Sequence, residues 1–285
     1  MTTVIPLPTV PAASGVRAAS PGIVAAGLAA LVLVVAVAVP GLLATHAPDT
    51  VDALHTLSPP SASHWLGTDQ LGRDVLSRIV YGARPSLLIG VGATAVGVVA
   101  GSALGLLAAL SGPRVDAVLM RVVDVLLAFP PLLLALLIVT LAGPSTLDAT
   151  LAIAFASVPG YARMLRGQAL VTRRADYVHV ATGLGIHWPR VVLRHVLPNS
   201  VGPVLVLATI GLGEAILAGA SLSFLGLGPR PPSPEWGTML SDGRDYLGQA
   251  WWIAVFPGLA VTLAVIALTV LGRLVQTRVR DGAAQ

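Results

Sequence analysis

GVGATAVGVVAGSALG, residues 90–105, carries no charge and is dense in Gly and Ala. A charge-free stretch of small residues is poor material for a water-soluble core. It suits a helix in lipid, where small side chains let neighbouring backbones approach without a hydrophobic drive. Outward from it the apolar run covers 85–111, and about 20 residues suffice to cross a hydrocarbon layer about 30 Å thick. Five more such runs lie at 23–44, 115–142, 147–163, 200–227 and 250–272. The run at 23–44 is longer than a signal peptide's apolar core of roughly 7–15 residues, so a retained helix is expected there. The reading is an all-α, polytopic membrane protein with six transmembrane helices.

Composition agrees. Of the 285 residues 55% are hydrophobic and 11% charged, against about 25% charged in a soluble domain. The mean hydropathy is +0.85. An ordinary soluble enzyme is excluded, because too little polar surface exists to cover the apolar mass. Cysteine is absent, which removes disulfides, thiolate nucleophiles and thiolate metal centres. Lysine is absent too, since every basic residue is arginine. A Walker A loop requires a lysine at the β- and γ-phosphates, so ATP hydrolysis by that route is excluded. The net charge is +4, but the arginines are dispersed at segment ends, which argues against nucleic acid as a partner.

Arginine placement sets the expected orientation. With the N-terminus inside, the inner side receives Arg17, Arg114, six arginines of the 161–199 loop, Arg273, Arg278 and Arg280. The outer side receives Arg73, Arg78, Arg84, Arg230 and Arg244, while Arg121 lies within the third run. Both termini are expected to be cytoplasmic, with 1–21 and 276–285 as tails.

Three polar segments interrupt the runs. In 71–84, LGRDVLSRIVYGAR, apolar and charged residues fall on opposite halves of a helical wheel. A separate amphipathic helix lying on the membrane is expected, capped by Thr68 or Asp69 and ended at Arg84-Pro85. The inner loop 161–199 holds six arginines and a single acid, Asp176. A short helix carrying Val178, Ala181 and Leu184 should end at Gly185, and Pro189 should open the next. This basic loop suits either lipid headgroups or a cytosolic partner. The outer loop 226–249 is rich in Pro and Gly, which predicts no regular helix; a re-entrant segment, a gate and a connector all fit.

Charges within the apolar runs are costly and usually face a bundle interior or an aqueous path. Asp124 stands nine residues beyond Val115, or about 14 Å at 1.5 Å per residue, which places it near mid-membrane. Arg121 is three residues from it and could neutralise it on the same face. Glu214 lies in the fifth run. Arg121, Asp124 and Glu214 are therefore candidates for an ion pair or a solute path. Pro130-Pro131 breaks the backbone ladder further along, as in many transporters. A serine nucleophile in GASLS (219–223) would lack a base, since all six histidines lie in loops or at segment edges. No two histidines are spaced i,i+3 or i,i+4 on one helix, so no metal site and no catalytic residue are expected.

The inner loop reads YVHVATGLG (177–185), then RHVLPN (194–199). It resembles the EAA loop of binding-protein-dependent ABC importer permeases, E-A-A-x-x-x-G followed by a segment ending L-P. His179 stands at the glutamate position, Val180 and Ala181 at the alanines, Gly185 at the glycine, and Leu197-Pro198 at the end. HWLGTDQLGRDVLSRIVYGARPSLLIG (64–90) and LSFLGLGPRPPSPEWGTML (222–240) are similar to signatures of the second permease of dipeptide, oligopeptide and nickel importers. The resemblance covers roughly residues 20–275.

It implies a type I ABC importer transmembrane fold, with 22–84 forming a first helix plus outer loop and 85–275 the five-helix transport domain. It further implies a bacterial inner-membrane permease forming half of a translocation path for peptides or similar small solutes. The implied partners are a second permease, two ATP-binding subunits, an extracytoplasmic substrate-binding protein and membrane lipid. ATP and Mg would be used by the partner subunits, with no cofactor on this chain. His179, Ala181, Gly185, Arg194, His195, Leu197, Pro198 and Asn199 would form the ATPase-coupling loop. The competing reading is an ion-coupled transporter that uses Asp124 or Glu214 as a proton carrier.

Overall fold

The computed structural model describes residues 21–229 and 232–283; the expected tail before residue 21, Arg17 and Arg230 lie outside them. Among the described residues the chain is helical, and no strand exceeds the isolated Thr68–Asp74 bridge. Helix α1 (Pro21–Ala38) is uncharged. The Val37 carbonyl near its end accepts from Arg84 Nε and Nη2 at 3.1 and 2.7 Å, which satisfies one of the acceptors a helix end leaves open.

Helix α2 (Val75–Leu110) has 36 residues, about 54 Å at 1.5 Å per residue, so its first turns project well beyond a 30 Å hydrocarbon layer. The separate amphipathic helix expected at 71–84 is thus corrected: its residues from Val75 onward are the opening of α2. Asp74, not Thr68 or Asp69, caps the start, accepting from the Ser77 N–H at 2.8 Å. Pro85 lies inside the helix rather than at a break. It deletes one ladder bond, and the surrounding turns are held by a buried cluster of Val75, Val80, Ala83, Trp236, Met239 and Ile253.

The third apolar run is not one straight span. Helices α3 (Pro113–Leu127) and α4 (Pro131–Ala142) meet at a 91° bend. Pro130 precedes α4 and Pro131 fills its first turn. The charges stay on α3, and α4 has none. Helix α5 (Thr146–Arg173) extends ten residues beyond the expected run, carrying Arg163, Arg166 and Arg173 on its last turns. Helices α6 (Asp176–Gly183) and α7 (Trp188–Val191) follow, and a π-helical turn over Val192–Val196 joins α7 directly to α8 (Leu197–Phe224). Helix α9 (Trp236–Gly243) occupies the outer loop that was expected to lack helix. The prolines end at Pro234, and the Glu235 carboxylate caps α9 by accepting from the Thr238 N–H at 2.9 Å. Helix α10 (Trp252–Ala283) is the last element among the described residues.

All six apolar runs are helical, within altered bounds. By length and apolarity three described segments suffice alone to cross a membrane: Val75–Leu110, Trp188–Phe224 and Trp252–Leu274. The bent α3–α4 pair counts as a fourth, while the apolar part of α1 is the shorter Val24–Ala38.

The most extensive helix pair is α2 with α5, and glycines make it possible. A Cβ on Gly97 would stand 2.1 Å from Ser157 Oγ, one on Gly101 2.8 Å from the Val158 carbonyl, and one on Gly105 2.3 Å from the Ala162 carbonyl. The i, i+4, i+8 stripe of the opening quotation is therefore a backbone-to-backbone seam. Helix α8 packs on the same pair, and α4 packs on α5.

Candidate functional site

The inner loop condenses onto the end of the α2–α5 seam. Val178 and Ala181 of α6 are buried with Ala109, Ala169, Val191 and Val196. Arg173 Nη1 donates to the Ala109 carbonyl at 3.1 Å, and its guanidinium stacks 5.3 Å from the Trp188 ring. The helix ends as expected. Gly185 has φ +78°, its N–H donates to the Thr182 carbonyl at 3.0 Å, and the Ile186 N–H donates to the Ala181 carbonyl at 3.2 Å. These two bonds form a Schellman motif with glycine at its left-handed position. Pro189 lies in the first turn of α7, as its position predicts.

The other face of α6 points to water. Tyr177, Val180 and Leu184 are 47%, 61% and 76% exposed, an apolar i, i+3, i+7 stripe, with the His195 ring 6.3 Å from that of Tyr177 at its edge. His179, Arg194, Pro198 and Asn199 are exposed beside it, while His195 and Leu197 are half-buried. Asn199 Nδ2 donates to the His195 carbonyl at 2.6 Å. Ala181 alone of the coupling-loop residues faces inward.

The intramembrane charges are arranged differently from expectation. Arg121 does not pair with Asp124. Arg163 Nη2 of α5 donates to the Asp124 carboxylate, and Arg166 grips Asp116 through Nε and Nη2, both at 2.5 Å. The i,i+3 pairing loses because α5 offers two guanidiniums across the helix interface. The bend also removes the straight span that put Asp124 near mid-membrane. Glu214 sits elsewhere, on the wall of an open cleft of about 240 Å³ between α2, α4, α5 and α8. Thr94, Ser157 and Tyr161 share that wall with apolar residues such as Ile153 and Leu207. Among the described residues Glu214 makes no ion pair.

The two long signature stretches close on each other. Trp236, 1% exposed, donates from Nε1 to the Ile79 carbonyl at 2.9 Å. The buried Glu235 accepts from Ser86 Oγ at 2.9 Å, and Ser86 Oγ in turn accepts from the Trp236 N–H at 3.1 Å. Trp252 Nε1 donates to the Thr68 carbonyl at 3.1 Å, and Asp69 Oδ2 accepts from Arg73 Nε at 2.7 Å. The sequence offered Thr68 and Asp69 only as caps and gave Ser86, Glu235, Trp236 and Trp252 no role; the signal lay in the two motifs 64–90 and 222–240, which the fold makes one unit. Sequence reading also expected no metal site, but His46, His64 and Asp74 bring their ligand atoms within 4.8 Å of one another. Helical spacing could not reveal a group drawn from three separate segments.

Comparison with known proteins decides the family. The profile described as "Binding-protein-dependent transport system inner membrane component" matches residues 101–281. The chain belongs to this family. It is 43% identical over 230 residues to a probable D,D-dipeptide transport system permease protein, DdpC, of Escherichia coli K12, covering 81% of this chain and 77% of that one. It is 41% identical to the glutathione transport system permease protein GsiD of Pectobacterium atrosepticum, covering 87% and 83%. The membrane subunit of the MetNI methionine ABC transporter, in an inward-facing crystal structure, superposes with a TM-score of 0.59. The identity is 16%, over 70% of this chain and 95% of that one, a likeness of fold alone. The permease therefore has the type I ABC importer transmembrane fold. It is a multi-pass membrane subunit, not an enzyme, and works in a complex whose ATPase activity resides in separate subunits.

Proposed function

We propose that this permease forms half of the path of an ATP-driven importer for di- or oligopeptides or similar small solutes. The exposed stripe Tyr177–Val180–Leu184 carries the proposal. An apolar helix face held out to water by a Schellman turn needs a groove to bury it, and a cytosolic ATP-binding subunit supplies one. His179, Gly185, Arg194, His195, Leu197, Pro198 and Asn199 flank that contact, and Ala181 anchors it from within. Two such subunits, using ATP and Mg, a second permease and an extracytoplasmic binding protein complete the assembly. Both termini face the cytoplasm, 1–21 and 276–285 flank the transport domain 85–275, and α2 and α10 run across its boundaries with the 22–84 module and the C-terminal flank.

Identities of 41–45% to peptide and glutathione permeases support the solute class. The cleft supports it independently: an apolar wall with one free carboxylate, Glu214, suits a solute with apolar side chains and an ammonium group. Asp124 is tied to Arg163, which leaves Glu214 as the carboxylate an ion-coupled mechanism would need, and the likeness to permeases of peptide transport systems weighs against that mechanism. The test is reconstitution of the complete complex in liposomes with Leu184→Asp in this subunit. Peptide uptake and peptide-stimulated ATP hydrolysis should fall at least tenfold while the chain still inserts. Uptake at the normal rate would refute the coupling role of α6.

A further inference from the structure

We propose that His46, His64 and Asp74 form a binding site for a first-row divalent transition metal, with Zn²⁺ as its natural probe, on the extracytoplasmic side. The three residues come from the segment after α1, the middle of the outer loop and the cap of α2, so spacing along the chain does not announce them.

Their geometry suits one ion. Both Nδ1 atoms lie near one oxygen: His64 Nδ1 is 2.9 Å and His46 Nδ1 3.8 Å from Asp74 Oδ1, and His46 Nδ1 also meets Thr45 Oγ1 at 3.0 Å, a contact an ion would displace. Ligand atoms on a tetrahedral zinc with bonds of 2.0–2.1 Å are about 3.4 Å apart, between those two values. The rings stack 4.7 Å apart at 30°, and all three ligand atoms lie within 4.8 Å of one another. Asp74 is essentially buried, and its second oxygen is already occupied. Oδ2 accepts from the Ser77 N–H at 2.8 Å, from Ser77 Oγ at 2.7 Å and from Thr45 Oγ1 at 3.3 Å. Ser77 Oγ also accepts from the His46 N–H at 3.0 Å. One carboxylate oxygen is thus fixed by outer hydrogen bonds and the other aimed at two imidazoles, the arrangement that orients metal ligands.

Two nitrogens and one oxygen, without thiolate, favour zinc, nickel or cobalt over calcium or magnesium. The His46 side chain is 43% exposed and that of His64 15%, so the fourth position opens to solvent for water. A bound ion would staple the chain leaving α1 to the start of α2.

The experiment uses the full chain in lipid nanodiscs, purified with a tag free of histidine and stripped with chelator at pH 7.5. Zn²⁺ alone is titrated in competition with a chromophoric chelator, and thermal stability is followed with and without it. One Zn²⁺ per chain is expected, with a rise in melting temperature. His46→Ala and His64→Gln should each weaken binding by about tenfold or more and abolish the thermal shift. His55→Ala, which removes a ring 6.3 Å from His64, should retain both. No saturable zinc in the parent protein, or affinity unchanged by both His46→Ala and His64→Gln, overturns the site and leaves Asp74 as a plain hydrogen-bonded cap. Loss of binding in His55→Ala alone overturns it equally.

Discussion

The α2–α5 seam makes a quantitative prediction at Gly105. An alanine there would place its Cβ 2.3 Å from the Ala162 carbonyl oxygen and 3.0 Å from its carbon. Both are backbone atoms of a helix interior, so no rotamer change relieves the clash. The helices must separate locally by close to 1 Å to restore an ordinary contact. That movement loosens the Gly101–Val158 and Gly97–Ser157 contacts of the same stripe, and overpacking of this kind costs about 1–3 kcal/mol. Gly167→Ala is the internal control. Gly167 is also inside α5, but nothing lies within 4 Å of its Cβ position, so alanine should stabilise by roughly 0.5–1 kcal/mol through helix propensity alone.

At about 2–4 °C per kcal/mol for a chain approaching this size, Gly105→Ala should lower the midpoint of thermal unfolding in nanodiscs by roughly 2–12 °C. Gly167→Ala should raise it by a degree or more. Gly105→Leu should prevent recovery of a monodisperse permease. Equal midpoints for the two alanine variants would refute the reasoning, because helix propensity alone predicts that both gain.

The remaining predictions concern the loops. Gly185→Val forces a β-branched residue to φ +78° in open space, costing about 1–2 kcal/mol of local strain; membrane insertion should persist while co-purification of the ATP-binding subunits falls, and His179→Ala should be much milder by the same pull-down. A cysteine replacing Leu54, 91% exposed, should react with an impermeant thiol reagent in spheroplasts, whereas Arg174→Cys should react only after permeabilisation; the opposite pattern would invert the proposed topology. Burial raises the Asp242 carboxyl above the ordinary carboxylate value of 3.8, although Arg73 and Arg78 pull it down. A raised acid favours the fold when protonated and loses that favour as pH rises through its folded pKa. Asp242→Asn should therefore stabilise the permease at pH 7, by an increment that shrinks as pH falls toward the carboxylate range. An increment that grew on acidification would contradict the assignment.

What could be read in advance divides along physical lines. The seam was legible because small residues at i, i+4 and i+8 have few other uses in an apolar helix, and the end of α6 because a left-handed turn favours glycine. Both are local properties. The errors fall where a local rule met a tertiary competitor. Pro85 reads as a helix break, but one missing ladder bond is outweighed by the packing of Trp236 and Ile253 around the turns beside it. Arg121 and Asp124 stand at the spacing of a helical ion pair, but α5 presents Arg163 and Arg166 to the same carboxylate face. Pro130-Pro131 announces a break, while the 91° angle depends on where α4 packs.

Those tertiary choices redistribute charge in a way that bears on transport. With Asp116 and Asp124 held by α5 guanidiniums, α3 is braced against α5 and reaches the cleft only through apolar Leu127 at its end. The carboxylate left facing the cleft is Glu214, on α8. That helix continues unbroken from the π turn and α7, so the cleft wall and the coupling loop share one rigid segment, Trp188–Phe224, of 37 residues. In the proposed assembly, a displacement of α6 by a bound ATPase subunit would pass to α7 through the buried cluster of Val178, Ala181, Val191 and Val196. It would reach Glu214 along α8, without requiring a chain of side-chain rearrangements. The link the fold offers between α6 and the cleft is therefore backbone continuity.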